Sequence, residues 1–267
     1  MATRKRRSQS KVNSPSGRSR LLAAKPRLGG KVAVITGGSR GIGLSVAETL
    51  AAEGCNVVIT GRNRKILDAA AAKIAPLIPK SANAAVVPQV CDVRDPQAVG
   101  ALFKSLAARF GKIDVLVNNA GISQPATPLA QTSLDLWRDV LDTDLTGVFL
   151  CTQAALPLMQ TGATIINNLS AAAKQLFPGY YAYTAAKMGA LGFTLSLRAE
   201  LMPRGIRVMA LMPGATDTDI WEQIMPDAPR DHMIDAASVA QAVLYAVLLP
   251  PNVNPSEISL DPAQGAV

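Results

Sequence analysis

Tyr183 and Lys187 stand four positions apart in YTAAK, and the run that follows, MGALGFTLSLRAELM, carries apolar residues at helical spacing. Side chains at i and i+4 share one helix face, about 5–6 Å apart at Cβ, so this spacing sets an ammonium beside a phenol. A free phenol, with a pKa near ~10, is a poor base at neutral pH. A fixed neighbouring cation favours the phenolate, lowers that pKa and makes a tyrosine usable as a general acid or base. Ser170, at the end of the apolar run ATIINNL, adds a hydroxyl suited to holding a substrate oxygen. The same pattern also describes a surface Tyr and Lys on an amphipathic helix, so the choice rests on the elements around it.

Those elements begin at Lys31. KVAVIT is a short β-branched run, GGSRGIG a glycine turn, and LSVAETLAAEG a helical stretch closed by Gly54. A strand, glycine turn and helix in that order let backbone amides approach a pyrophosphate, whose charge the helix N-terminus favours. CNVVIT is a second strand, ending in Gly61-Arg62-Asn63-Arg64. A helix near 62–77, a strand near 84–90 and a helix near 95–110 follow. Next come the strand in IDVLVNNAG, a long helix over about 132–160, and the strand ATIINNLS. The Tyr/Lys helix spans about 180–202 and leads to the strand GIRVMALMPG, a helix near 236–249 and the short strand SEISL. This alternation predicts an α/β fold with a doubly wound parallel sheet covered on both faces. No interior linker marks a second unit, so residues 29–267 read as one domain.

The chain has 267 residues, 49% of them hydrophobic, which suits a single large core. No apolar run reaches the roughly 18 residues of a membrane span. Cys55, Cys91 and Cys151 lie far apart without a CxxC pair, as reduced packing residues of a cytoplasmic protein would. A single histidine, His232, argues against a histidine-based metal site, and no metal is expected. The net charge of +8 belongs to one end. Residues 1–27 hold nine basic residues and no acid, which leaves eighteen basic against nineteen acidic residues in the remainder. Residues 1–28, polar, Ser-rich and interrupted by Pro15 and Pro26, are expected to be a disordered basic leader. Three readings of it stay open: a solvated extension, a transit peptide directing the protein to an organelle, or a handle for nucleic acid or anionic membrane.

Taken together, these motifs resemble the short-chain dehydrogenase/reductase family over residues 30 to about 260. Thr36 to Gly43 (TGGSRGIG) matches its TGxxxGxG loop, Asn118 to Gly121 its NNAG motif, and YTAAK its YxxxK. Ser170 precedes Tyr183 by thirteen residues, the family spacing, and Pro213 to Thr218 fits PGxxxT. The resemblance implies a Rossmann fold and hydride transfer between a nicotinamide cofactor and a carbonyl or secondary alcohol. Tyr183 would then be the proton donor, Lys187 would tune it and hold the nicotinamide ribose, and Ser170 would bind the substrate oxygen. The implied cofactor contacts are Gly37, Ser39, Arg40, Gly41, Ile42 and Gly43 in the glycine loop, Arg62, Asp92, Val93, then Asn119, Ala120 and Gly121. Tyr183, Lys187, Pro213, Gly214, Thr216 and Thr218 complete that set. A homotetramer or dimer is implied as well, through the long helices near 132–160 and 180–202.

Two departures stand out. Asp144 occupies the place of the family's usual Asn in an NLxG segment; it is counted with the catalytic set, its side chain expected to point away from Lys187. No Asp-Gly-Gly follows the last strand, and PPNVNPSEISLDP looks more like the tails of reductases of short hydroxy acids or small carbonyls. Gly61 ends the second strand where NAD-preferring members carry an acid, and Arg40 and Arg62 are placed to clamp a 2′-phosphate, so NADP(H) is expected. Arg62 and Arg64 also fit the start of a solvated helix. A substrate lid is expected near 214–233, where Ile220, Trp221, Ile224 and Met225, with Leu176 and Phe177, suit a partly hydrophobic substrate or simple lid packing. A nucleotide-binding sensor or scaffold of the same fold, with little or no turnover, is the alternative function.

Overall fold

Nine strands form among residues 26–265, the residues that the computed structural model describes. In chain order they are β1 (Val32–Ile35), β2 (Asn56–Gly61), β3 (Val86–Val90), β4 (Val115–Asn118), β5 (Thr164–Asn168), β6 (Arg207–Pro213), β7 (Thr216–Asp217), β8 (Ile234–Asp235) and β9 (Glu257–Leu260). Seven make one sheet in the order β3-β2-β1-β4-β5-β6-β9, and every neighbouring pair is parallel. The chain starts in the middle, builds outward to β3, then returns to β4 and builds the other way. The reversal between β1 and β4 is where such sheets open a crevice at the carboxyl ends of their strands. The strands β7 and β8 pair only with each other.

The crossovers are α1 (Gly41–Ala52), α2 (Arg64–Ile74), α3 (Pro96–Phe110), α4 (Leu134–Leu141), α5 (Gly147–Ala155), α6 (Tyr181–Leu201), α7 (Trp221–Ile224) and α8 (Ala236–Leu248). Strand side chains alternate between faces. Ala33 and Ile35 pack among α1, α2 and α8, whereas Val34 and Val58 pack among α3, α5 and the end of α6. Both faces are covered, so the strands read as continuous apolar runs and all seven residues of β6 are buried. Each fully buried Val, Leu or Ile contributes about 1.5–3 kcal/mol, so this double core outweighs any single polar contact below. Helix starts use short polar caps: Asn63, Ser133 and Asp235 each accept a backbone N–H of the first turn.

Two expectations about element limits change. The helix expected over 132–160 is interrupted by a π turn at Asp142–Thr146 between α4 and α5. The wide turn adds one residue to the helical circuit and swings Asp144 into the interior. Arg27 and Leu28, assigned by composition to the leader, belong to the body. Leu28 is buried and its N–H reaches Glu53 O at 2.9 Å, and Arg27 forms an ion pair with Glu53. The expected disorder of residues 1–25 lies outside the described residues. Cys55, Cys91 and Cys151 are buried free thiols, and burial pushes the first and last up to about 12.

Candidate active site

A cleft of about 860 Å3 runs along the carboxyl ends of the central strands, and three contacts hold its floor together. Gly37 has a φ of +63° and lies so near the turn after β4 that a Cβ on it would sit 2.9 Å from Ala120 Cα. Only glycine suits both that backbone and that approach. Asn119 ties three strand ends: its Nδ2 donates to Thr36 O (3.0 Å) and Gly37 O (3.2 Å), and its Oδ1 accepts from Asn168 Nδ2 (2.9 Å). Thr36 Oγ1 accepts from the Asn119 and Ala120 N–H groups, each at 2.9 Å. Gly43 does not line the cleft; a side chain on it would strike Asn119 Nδ2, so it acts by letting Asn119 in.

A second polar chain lies deeper and starts at Asn118, the first residue of NNAG; its other members were not legible as a motif. Asn118 Nδ2 donates to Asn167 Oδ1 (2.8 Å) and Thr152 Oγ1 (2.9 Å), and Asn167 Nδ2 donates to Thr194 Oγ1 (2.8 Å). It links β4, β5, α5 and α6 inside the core, where an unpaired amide costs about 1–3 kcal/mol. The link fixes α6, and with it Tyr183 and Lys187, against the strand that delivers Ser170. That serine begins the turn after β5, its Oγ accepting the Ala172 N–H at 3.2 Å.

Tyr183 and Lys187 share one face of α6 as their spacing requires, with the Lys187 Nζ 5.3 Å from the phenol ring centre. Asp144 does not point away. Its Oδ2 lies 2.9 Å from Lys187 Nζ and its Oδ1 accepts the Ile122 N–H at 2.8 Å; both side chains are almost wholly buried. The π turn is the reason, since it places the carboxylate under the ammonium. Gly121 makes room for the pair: a Cβ there would lie 3.0 Å from Asp144 Oδ2. Burial pushes the Asp144 carboxyl up against the pull of Lys187 and the Ile122 N–H. Burial also disfavours the Lys187 ammonium, but Asp144 and Tyr183 outweigh it and hold this lysine above its ordinary value.

At the β2–β3 end, Arg40, Arg62, Asp92 and Val93 line the cleft together with Ser39, Gly41 and Ile42. Arg94, which the motifs did not single out, grips Asp92 through Nη2 (2.7 Å) and Nε (3.0 Å) and reaches Asp139 at 3.1 Å. That guanidinium holds the Asp92 carboxyl below its usual range. Arg40 and Arg62 form no ion pair among the described residues. At the other end Pro213, Gly214, Thr216 and Thr218 form the rim, and Thr218 packs over the glycine turn against Gly41. The segment 214–233 is pinned at its base by the β7–β8 pair, and Trp221 Nε1 donates to Thr216 O at 2.8 Å.

Residues 31–229 match the family model for short chain dehydrogenase. A 3-oxoacyl-[acyl-carrier-protein] reductase of Synechocystis sp. is 42% identical over 196 residues, covering 73% of this chain and 77% of that protein. An oxidoreductase of Staphylococcus saprophyticus is 33% identical over 234 residues, covering 87% and 97%. Among solved structures, a short chain dehydrogenase from Burkholderia cenocepacia in complex with NADP superposes with a TM-score of 0.79 at 33% identity, over 88% of this chain and 98% of that one. The match spans the glycine turn, the strand ends and the Tyr183–Lys187 helix alike, and the chain belongs to the short-chain dehydrogenase family, a Rossmann-fold family of oxidoreductases.

Proposed function

We propose that this protein transfers a hydride between NADP(H) and a carbonyl or secondary-alcohol substrate. The observation that carries the reading is the placing of Tyr183 over a buried, charged Lys187, with Ser170 lining the same cleft as the glycine turn. The residues fit the cofactor. The glycine turn leaves backbone free where a pyrophosphate needs it. Gly61 puts no carboxylate against the adenine ribose, Asp92 is neutralised by Arg94, and two unpaired guanidiniums, Arg40 and Arg62, suit a 2′-phosphate. The Burkholderia relative's complex with NADP supports the same choice.

Bound there, the nicotinamide supplies or takes the hydride, and the protein supplies placement and the proton. In reduction the Tyr183 hydroxyl donates its proton to the carbonyl oxygen, which Ser170 Oγ–H steadies. Lys187 stabilises the phenolate left behind, and in oxidation the same phenolate takes the alcohol proton. The test is a panel of carbonyls assayed with NADPH and NADH, with Tyr183→Phe beside the wild type. Turnover is expected with NADPH in preference to NADH, and Tyr183→Phe abolishes it while still binding the cofactor. Arg40→Ala and Arg62→Ala each weaken NADPH about tenfold or more, the size of a charge-assisted hydrogen bond, and NADH far less. A nucleotide-binding role without turnover draws on the compensated charge of Lys187. Tight cofactor binding with no reduction of any carbonyl sustains that second reading.

A further inference from the structure

The charges that line the cleft are sorted along the sheet edge. Arg40, Arg62 and Arg94 follow β1, β2 and β3, on one side of the crossover reversal. Past β4, among the described residues, the one cation lining the cleft is Lys187, and Asp144 lies 2.9 Å from it. The other ionisable carboxylates at that end are Asp219 and Asp261, and neither has a basic partner among the described residues. The covering segment 214–233 carries five acids, Asp217, Asp219, Glu222, Asp227 and Asp231, against one arginine. That arginine, Arg230, is spent on Asp217, its Nε donating at 2.6 Å. Lys174, near the mouth in sequence, is paired with Glu257. Phe177, Ile220, Trp221, Ile224 and Met225 make much of the wall apolar, and the polar side chains beside them, such as Ser123, Gln175, Tyr180 and Gln223, are uncharged.

We infer that the substrate half of this cleft takes an uncharged, largely apolar carbonyl compound, or its alcohol, and turns away carboxylates, sulfonates and phosphates. The inference rests on the hydride-transfer reading above and names the substrate class for that same site. A carboxylate entering here loses water against a largely apolar wall and gains no counter-charge, which disfavours it relative to its ester. Before entry it meets the field of an acidic cover, which lowers its local concentration and its on-rate. Lys187 gives little relief, because Asp144 offsets much of its field at contact distance. This sets aside the short hydroxy acids that the C-terminal sequence hinted at, and favours the small carbonyls named beside them.

The test uses the full-length chain with NADPH and two pairs of aldehydes or ketones matched except in charge: methyl 4-formylbenzoate with 4-formylbenzoate, and ethyl acetoacetate with acetoacetate. The expected result is a kcat/KM at least about tenfold higher for the ester of each pair whose ester is reduced. That gap narrows in 0.5 M salt and in Asp219→Asn, since both weaken the repulsion. Equal values, or a preference for the acids, overturn the inference while leaving hydride transfer standing. If no member is reduced with either nicotinamide, hydride transfer fails on this panel, and binding decides the inference separately. Methyl 4-(hydroxymethyl)benzoate is then expected to raise the melting temperature of the NADPH-loaded protein more than 4-(hydroxymethyl)benzoate. An equal or smaller shift for the ester overturns it.

Discussion

For the hydride transfer proposed above, Asp144 is the residue on which the proton chemistry would turn. An asparagine there would leave the Lys187 ammonium unopposed beneath Tyr183; the carboxylate cancels much of its field. The trade is physical: a buried ammonium without a partner is costly, so Asp144 stabilises Lys187 in its charged form while weakening its effect on the phenol. Asp144→Asn is therefore expected to strengthen the field of Lys187 at the Tyr183 hydroxyl and to favour the phenolate. Alcohol oxidation needs the phenolate, so the rising limb of its pH–rate profile moves to lower pH. A displacement of at least about half a unit is expected, about 0.7 kcal/mol of differential stabilisation. An unmoved limb with a tenfold loss of rate would mean that the carboxylate itself carries the proton. The shared face of Tyr183 and Lys187 was legible in the sequence because a helix turns local spacing into shared direction, whereas Ser170, on the turn after β5, was picked out by its family spacing to Tyr183. The direction of Asp144 was not, because one π turn rotates the helix face and nothing in DTDLT announces it. Arg94 escaped for a different reason: its partner Asp92 lies two residues away, a spacing with no regular meaning in a loop.

At the scale of elements, the parallel sheet depends on ties at both ends of its strands. The carboxyl ends are held by Thr36, Asn119 and Asn168. The amino ends of β1 and β4 meet at Asp114, which accepts the Val32 N–H at 2.9 Å and pairs with Lys31 and Lys112. Burial pushes the Asp114 carboxyl up, but Lys31, the Val32 N–H and Lys112 together hold it below its usual value. A carboxylate whose folded pKa is depressed stabilises the protein above the unfolded pKa of about 3.9, and that stability is lost as pH falls through the folded value. Asp114→Asn is expected to cost about 1 kcal/mol at pH 7, where the charge-assisted bonds are intact. The difference should fade at acid pH, once pH has fallen through the depressed folded pKa and both proteins are neutral at this site. Urea titrations at the two pH values check this; a cost as large at the acid end would show that shape and not charge sets it. Strands and helices were legible as alternating apolar periods. The pairing order was not, since periodicity says which face is buried and nothing about which strand lies beside which.

The whole molecule raises two questions that the fold of one chain leaves to solution measurements. The first is where the body begins. Leu28 is buried, and a Cβ on Gly54 would meet Pro26 at 2.6 Å, so residues 26–28 close the end of α1. Removing residues 2–25 is expected to leave specific activity and melting temperature near the full-length values. Removing 2–28 lowers the melting temperature, because a buried leucine contributes about 1.5–3 kcal/mol. If the shorter deletion has the larger effect, the basic leader acts on the body directly. The second question is assembly. The helices expected to form an interface carry Phe149 and Leu195, each 43% exposed, and Phe149 meets Phe193 edge to face with ring centres 6.2 Å apart. Apolar side chains of this size left facing water are of the kind that association covers. A dimer or tetramer is therefore expected at micromolar concentration. Phe149→Glu replaces an exposed apolar ring by a charge and shifts the mass towards the monomer; because the site is half exposed in one chain, the fold itself should hold. Sedimentation of the two proteins at equal concentration checks this. A wild type that already runs as a monomer, or a variant whose mass is unchanged, would remove this face from any interface.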